Sequence, residues 1–204
     1  MKKIAVLASG SGSNLQALID NVHNKEGAIC AVISDRKNAY ALERARTAGI
    51  PAVHISRLKY SSDEEFDTEI IKTLKECGAE GVVLAGYLKI LTPILINSYK
   101  NKIINIHPSL IPSFCGDGYY GMRVHNAVYE KGVKVTGATV HFVDHGIDSG
   151  PIIMQRAVEI SQKDSAEDIQ KKVLAVEHDI LVKSVKFFLR DKIDIINNRV
   201  YIKE

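Results

Sequence analysis

The chain has 204 residues, 46% of them hydrophobic and 25% charged, an ordinary globular composition with enough apolar material for one substantial core. The formal net charge is only +3 and the 27 basic residues are spread out, so the sequence carries neither a nucleic-acid nor a membrane footprint, whereas a small anionic substrate is compatible with it. Three cysteines, Cys30, Cys77 and Cys115, are an odd and widely spaced set that makes neither a disulfide framework nor a Cys-x-x-Cys motif, and they read as free thiols of a reducing compartment.

Met1-Lys2-Lys3 leads into a short apolar run that ends at Ser9-Gly10, too short for a signal peptide or a membrane span, which predicts a cytoplasmic protein with no membrane partner. A strand is expected over Lys3 to Ala8, followed by the turn Ser9-Gly-Ser-Gly-Ser-Asn14. From Asn14 a helix follows, with Leu15, Leu18, Ile19 and Val22 at one-face spacing. Glycines permit the tight turn, and the free amides and dipole at the helix start make an anion site, for which a phosphate is the expected ligand. Leu15 occupies the third glycine position of a dinucleotide fingerprint, and no Gly-Lys-Ser/Thr follows for a P-loop. Ser13 and Asn14 add side-chain donors suited to one terminal phosphate, and Asp35 is a candidate ribose partner. The plainer alternative is a turn that only connects a strand to a helix.

Further strands are expected over Ala28 to Ser34, Ala52 to Ile55, Gly81 to Ala85 and Lys102 to Ile106, with helices over Ala39 to Ala48, Asp63 to Cys77 and, briefly, after Thr92-Pro93. Ser62 with Glu65 predicts a capping box before Phe66, Ile70, Ile71 and Leu74, and Gly78 and Gly49 are expected to close their helices. Such alternation predicts an α/β fold, an open and mostly parallel twisted sheet with crossover helices.

The strand before Pro108 carries Asn105 and His107 on one side and Ile104 and Ile106 on the other. Pro108 holds His107 extended and places the pair at a strand end, where open α/β sheets keep their chemistry. If the first, fourth and fifth strands are parallel neighbours, the phosphate turn, Gly86 to Leu91, and Asn105 with His107 share one edge.

In the second half, Val133 to Val143 and Pro151 to Ile160 read as an antiparallel pair joined by Asp144 to Gly150. A long helix starts near Ser165 with Asp168 as its capping partner, and Asn197-Asn198 marks a terminal hairpin. No repeat or linker divides the chain, so residues 1–204 are expected to form a single domain. Asp144, His145 and Asp148 can face a cleft, and a carboxylate near His107 would carry the imidazole pKa toward or above neutrality. Charged His107 beside the Asn105 amide would stabilise an oxyanion, which points to attack on a carbonyl through a tetrahedral intermediate. No serine or cysteine stands in a nucleophile motif, so the nucleophile belongs to a substrate. His141 and His145 make a poor metal pair, and no metal is expected. The plainer alternatives are a packed histidine and a turn aspartate.

Taken together, Ala8 to Gln16, Val83 to Leu91, Asn105 to Pro112 and Gly137 to Val143 with Asp148 to Pro151 resemble the folate-dependent formyltransferases, and among them the phosphoribosylglycinamide formyltransferases of purine synthesis. The resemblance implies a Rossmann-like formyltransferase fold and transfer of a formyl group from 10-formyltetrahydrofolate to the amine of glycinamide ribonucleotide. It implies that Gly12, Ser13 and Asn14 hold the ribonucleotide phosphate in the N-terminal half, with Glu177 as a further substrate contact. Leu88, Lys89, Ile90 and Leu91, with Asn105, Asp144, His145, Gly146, Ile147 and Asp148, would line the folate pocket. His107 would be the catalytic acid, Asn105 would bind the formyl oxygen, and Asp148 would raise the histidine pKa. The implied partners are these small molecules, without nucleic acid, in a monomer or homodimer.

The pattern departs from that family at Ser62-Asp-Glu64, where relatives carry Ser-Arg-Glu, leaving Arg57 or Lys59 to compensate, and at Lys89, where many carry Arg. The Ser113 to Arg123 loop is longer than in some relatives and a candidate lid. Formyltetrahydrofolate hydrolase and methionyl-tRNA formyltransferase are disfavoured by length, and a non-catalytic nucleotide-binding module stands as the alternative from another class.

Overall fold

A computed structural model of the chain describes residues 1–203. Five parallel strands come first: β1 (Lys3–Leu7), β2 (Ala28–Ser34), β3 (Ala52–His54), β4 (Gly81–Leu84) and β5 (Ile103–His107). β6 (Val135–Phe142) and β7 (Ile152–Glu159) add antiparallel to β5, giving the order β3-β2-β1-β4-β5-β6-β7. The sheet is thus mostly parallel with an antiparallel C-terminal side, as the sequence pattern predicts. The order turns back at β1 and β4, the switch point beside which open α/β sheets bind ligands.

Alternation along β1 builds both layers of the core. Ile4 and Val6 face one layer with α1 (Ser13–Asn21), α2 (Tyr40–Thr47), α5 (Met122–Lys131) and α6 (Ala166–Leu189), while Ala5 and Leu7 face α3 (Asp63–Glu76) and α4 (Pro93–Ser98). Both faces are covered, which is why the parallel strands read as continuous apolar runs. A short 3-10 helix (Arg57–Lys59) precedes α3, and β8 (Ile193–Ile196) pairs with β9 (Arg199–Ile202) through the left-handed Asn197 and Asn198. Among the described residues no helix is long and apolar enough to cross a membrane.

The predicted elements recur within a residue or two of their expected bounds. Ser165 and Asp168 form the full reciprocal capping box of α6. The Ser62 box is only half present: Ser62 Oγ accepts the Glu65 N–H, but the Glu65 carboxylate takes the Ser61 N–H and Oγ–H instead. The helix α5 has no counterpart in the sequence reading. It starts at Gly121 without a side-chain cap and buries only Val124, His125 and Val128, so its apolar face is too thin to stand out. It also shortens the irregular stretch after Ser113, which ends where α5 begins.

Candidate active site

β1, β4 and β5 are parallel neighbours, so their carboxyl ends lie on one edge of the sheet. Two bonds tie the first two ends together there: the Ser9 N–H donates to the Gly86 carbonyl at 3.1 Å, and the Leu88 N–H donates to Ser9 Oγ at 3.0 Å. Ser9 Oγ–H in turn donates to Asp35 Oδ1 at 2.6 Å, so the candidate ribose carboxylate is already engaged by the turn. On the same edge a cavity of about 530 Å3 opens, lined by Leu88 to Leu91, Asn105, His107, His141 and the whole Asp144 to Asp148 loop. Every residue expected to line a folate pocket therefore borders one cavity. Tyr119, Tyr120 and Arg123 complete its wall from the segment leading into α5.

Asp148 stands between two imidazoles. Its Oδ2 lies 3.6 Å from His107 Nδ1 and its Oδ1 lies 3.7 Å from His141 Nε2. The Gly116 N–H donates to Oδ2 at 3.0 Å, which fixes the carboxylate from the segment after Pro112. Asp148 adopts φ 54, a left-handed conformation that aspartate tolerates better than most residues. The loop path is close-packed at Gly150, where a Cβ would lie 1.9 Å from the Phe142 carbonyl oxygen, so only glycine lets the chain pass behind Asp148.

Carbonyl acceptors fix both ring tautomers. His107 Nε2 is 2.9 Å from the Phe114 carbonyl and His141 Nδ1 is 2.8 Å from the Phe142 carbonyl, so each of those nitrogens carries the proton. His141 Nε2 is then free to accept from Asn105 Nδ2 at 3.1 Å. Asn105 and His107 border the same cavity, as their spacing in β5 predicts, yet the amide bonds to His141. Antiparallel pairing of β5 with β6 sets His141 directly opposite Asn105. Sequence reasoning missed His141 because its role needs that cross-strand register; the signal available was its position two residues after Thr139 on the same strand face.

The expectation that His107 titrates near or above neutrality is corrected by the structure. Burial lowers its pKa, and this outweighs the Asp148 carboxylate and the Phe114 carbonyl, both of which act upward. Burial alone would raise Asp148, but the nearby His141 ring, the Gly116 N–H and the His107 imidazole hold the carboxyl below its usual range. At rest, His107 is therefore a neutral imidazole facing the Asp148 carboxylate.

Behind His107, burial and the neighbouring imidazole lower buried His125 of α5 from 6.5 to about 4. Its Nδ1 has no hydrogen-bond partner. The unfolded chain binds a proton at His125 more readily, so the stability that depends on its neutral form is complete above pH 6.5 and is lost as the pH falls toward about 4. Melting curves across that window are expected to show a steeper acid-side fall for the parent than for His125→Gln; equal slopes would contradict the assignment.

The glycine-rich turn is built to expose amides. Gly12 adopts φ 72 as the N-cap of α1, and a Cβ there would lie 2.8 Å from Ala41 of α2. The first helical bond runs from the Gln16 N–H to the Gly12 carbonyl at 2.9 Å, leaving the amides before it without an intrahelical acceptor. Arg44 secures the turn from outside by donating to the Ser11 carbonyl at 2.9 Å and to Gln16 Oε1 at 2.9 Å. The Asn14 side chain is partly engaged: its Nδ2 donates one hydrogen to Glu177 Oε2 at 2.7 Å and keeps the second. Glu177 of α6 is 7% exposed, and burial raises its carboxyl despite the Asn14 bond. Asn14 and Glu177 thus form one unit behind the turn, and Asn14 Oδ1 is left without a partner. At the departure from the family pattern, Asp63 is paired with Arg57 from the short helix, whose Nη1 also donates to the Tyr60 carbonyl at 2.7 Å.

Comparison with known proteins places these features in a family context. The formyl transferase family model matches residues 2–185. The phosphoribosylglycinamide formyltransferase of Haemophilus influenzae is 38% identical over 204 residues, covering 99% of this chain and 94% of that protein. The enzyme of the same name from Escherichia coli is 36% identical over 201 residues, covering 98% and 92%. The crystal structure of glycinamide ribonucleotide transformylase 1 from Symbiobacterium toebii aligns over 100% of this chain and 95% of that one, with a TM-score of 0.94 and 41% identity. A formyltetrahydrofolate deformylase from Pseudomonas syringae aligns with a TM-score of 0.89 and 30% identity, over 100% of this chain and 66% of the other.

Proposed function

Because the chain belongs to the formyl transferase family, we propose that it is a cytoplasmic enzyme that transfers the formyl group of 10-formyltetrahydrofolate to the amine of glycinamide ribonucleotide, a step of purine synthesis. The observation that carries this reading is Asp148 set between His107 and His141, on the wall of a cavity that shares its sheet edge with an amide-rich turn. The cavity suits a folate: it is of drug-sized volume, with Leu88, Ile90 and Ile147 as apolar walls and Asn105 and Asp144 as polar groups. Bound there, the folate supplies an electrophilic formyl carbon.

The residues divide the work as follows. The amides of Gly12 and Ser13 and the N-terminus of α1 receive the ribonucleotide phosphate, and the buried Asn14 and Glu177 pair supports that turn and meets the substrate. The amine attacks the formyl carbon, and negative charge grows on the formyl oxygen. Asn105 uses one amide hydrogen on His141 and keeps a second for that oxygen, while His107, whose Nε2–H is held by the Phe114 carbonyl, becomes a second donor only when its Nδ1 takes up a proton. The proton shed by the amine passes to an imidazole nitrogen facing Asp148, and the carboxylate stabilises the imidazolium so formed. No protein nucleophile takes part.

Hydrogen exchange tests the ribonucleotide half of this reading. Glycinamide ribonucleotide is expected to slow exchange at the amides of Gly12 to Asn14 by roughly tenfold or more at saturation, without comparable slowing at β8 and β9. Unchanged exchange in the turn would remove the phosphate assignment. The deformylase likeness favours a second reading, hydrolysis of the formyl-folate, in which water replaces the amine and no acceptor is needed.

A further inference from the structure

Strand β2 carries one more residue than β1 between matched positions: Ile29 lies opposite Ile4 and Ala31 opposite Ala5, so Cys30 has no partner. A bulge of this kind takes its extra residue out of strict alternation and re-aims the side chain. The packing records the result. Cys30 and Ala31, adjacent in sequence, both face the α3 layer, while Ile29 and Val32 face the other layer. Cys77 ends α3 on that same layer. The two Sγ atoms are 3.0 Å apart, although 47 residues separate them in sequence, and neither side chain is sealed from solvent.

We propose that Cys30 and Cys77 are a dithiol–disulfide modification site, which closes when the protein meets a low-molecular-weight disulfide and cross-links β2 to α3. Bond formation asks for an approach of only about 1 Å from the present separation. Burial, with the hydrogen bond between the thiols, raises the Cys30 thiol, which disfavours Cys30 as the first attacker. Cys77 Sγ, having lost its proton to solvent, attacks the small disulfide, forming a mixed disulfide and releasing one thiolate. Cys30 Sγ then attacks Cys77 Sγ and gives its proton to the departing second thiolate. The two protein thiols are oxidised, and one small disulfide is reduced to two small thiols.

The cross-link lies away from the formyl-transfer site. Cys77 precedes β4 and Cys30 lies in the first half of β2, toward the amino-end edge of the sheet, whereas the cavity and the turn lie at the carboxyl ends of β1, β4 and β5. Cys115, by contrast, stands beside the cavity segment and has no cysteine partner within bonding distance among the described residues.

The test uses the full chain equilibrated over a series of oxidised-to-reduced glutathione ratios, quenched with acid, and read by thiol counting and peptide mapping. The Cys30 and Cys77 thiols are expected to disappear together, with their peptides joined, before the Cys115 thiol is consumed. The melting temperature should rise by roughly 5 °C, reverse with dithiothreitol, and stay unchanged on oxidation of Cys77→Ser. Separate glutathione adducts on Cys30 and Cys77, or both thiols still free once Cys115 is oxidised, would overturn the proposal.

Discussion

His107→Ala is expected to lower formyl transfer by ~100-fold or more while leaving a folded protein that still binds the ribonucleotide. The imidazole is 4% exposed and borders the cavity, with one nitrogen bonded to the Phe114 carbonyl and the other turned to Asp148. Removing it takes away one of the two imidazole nitrogens facing Asp148, a site that can take up the amine's proton and then donate to the charged oxygen. It also leaves the Phe114 carbonyl without its donor, so a stability loss of about 1 to 3 kcal/mol accompanies the change. His107→Gln separates the two effects, because the glutamine amide can donate to the Phe114 carbonyl but cannot take up a proton. Stability should largely return in that variant and turnover should not. If either variant keeps turnover within about threefold of the parent, His107 is not the group that handles charge in this reaction.

The parallel part of the fold was legible in the sequence because it rests on local signals. Period-two and period-3.6 apolar patterns, Gly49 and Gly78 with their positive φ, and the Ser165 capping box each fix an element without knowledge of its neighbours. Helix α5 was not legible for the same reason: Gly121 offers no cap, and a buried histidine replaces one apolar position. The fuller signal, Val124 and Val128 four apart before the left-handed Gly132, becomes clear only once β6 and α6 cover that face.

The candidate site divides along the same line. Asn105, His107 and Asp148 were found from strand alternation, a proline and a glycine-flanked loop. His141 was not, because only the β5 and β6 register brings it to Asn105. The direction of the His107 pKa also lay beyond the sequence. An acidic neighbour was visible there, but the burial that outweighs it belongs to the assembled fold. Asn14 shows the same limit from the other side: the turn marks it as a donor, and only the docking of α6 reveals that Glu177 holds one of its two amide hydrogens.

An enzyme whose nucleophile comes from a bound amine should leave its formyl donor almost untouched when that amine is missing. None of the side chains around Asp148 is a hydroxyl or thiol placed as a nucleophile; Cys115 Sγ instead donates to the Pro112 carbonyl at 3.3 Å, and its thiol is raised by burial and by Asp148. Release of tetrahydrofolate from 10-formyltetrahydrofolate, followed with and without glycinamide ribonucleotide, therefore tests the central claim directly. The account predicts turnover at least ~100-fold faster with the ribonucleotide present, and a formylated ribonucleotide appearing in step with tetrahydrofolate. Equal rates in both arms, with free formate as the product, would contradict it.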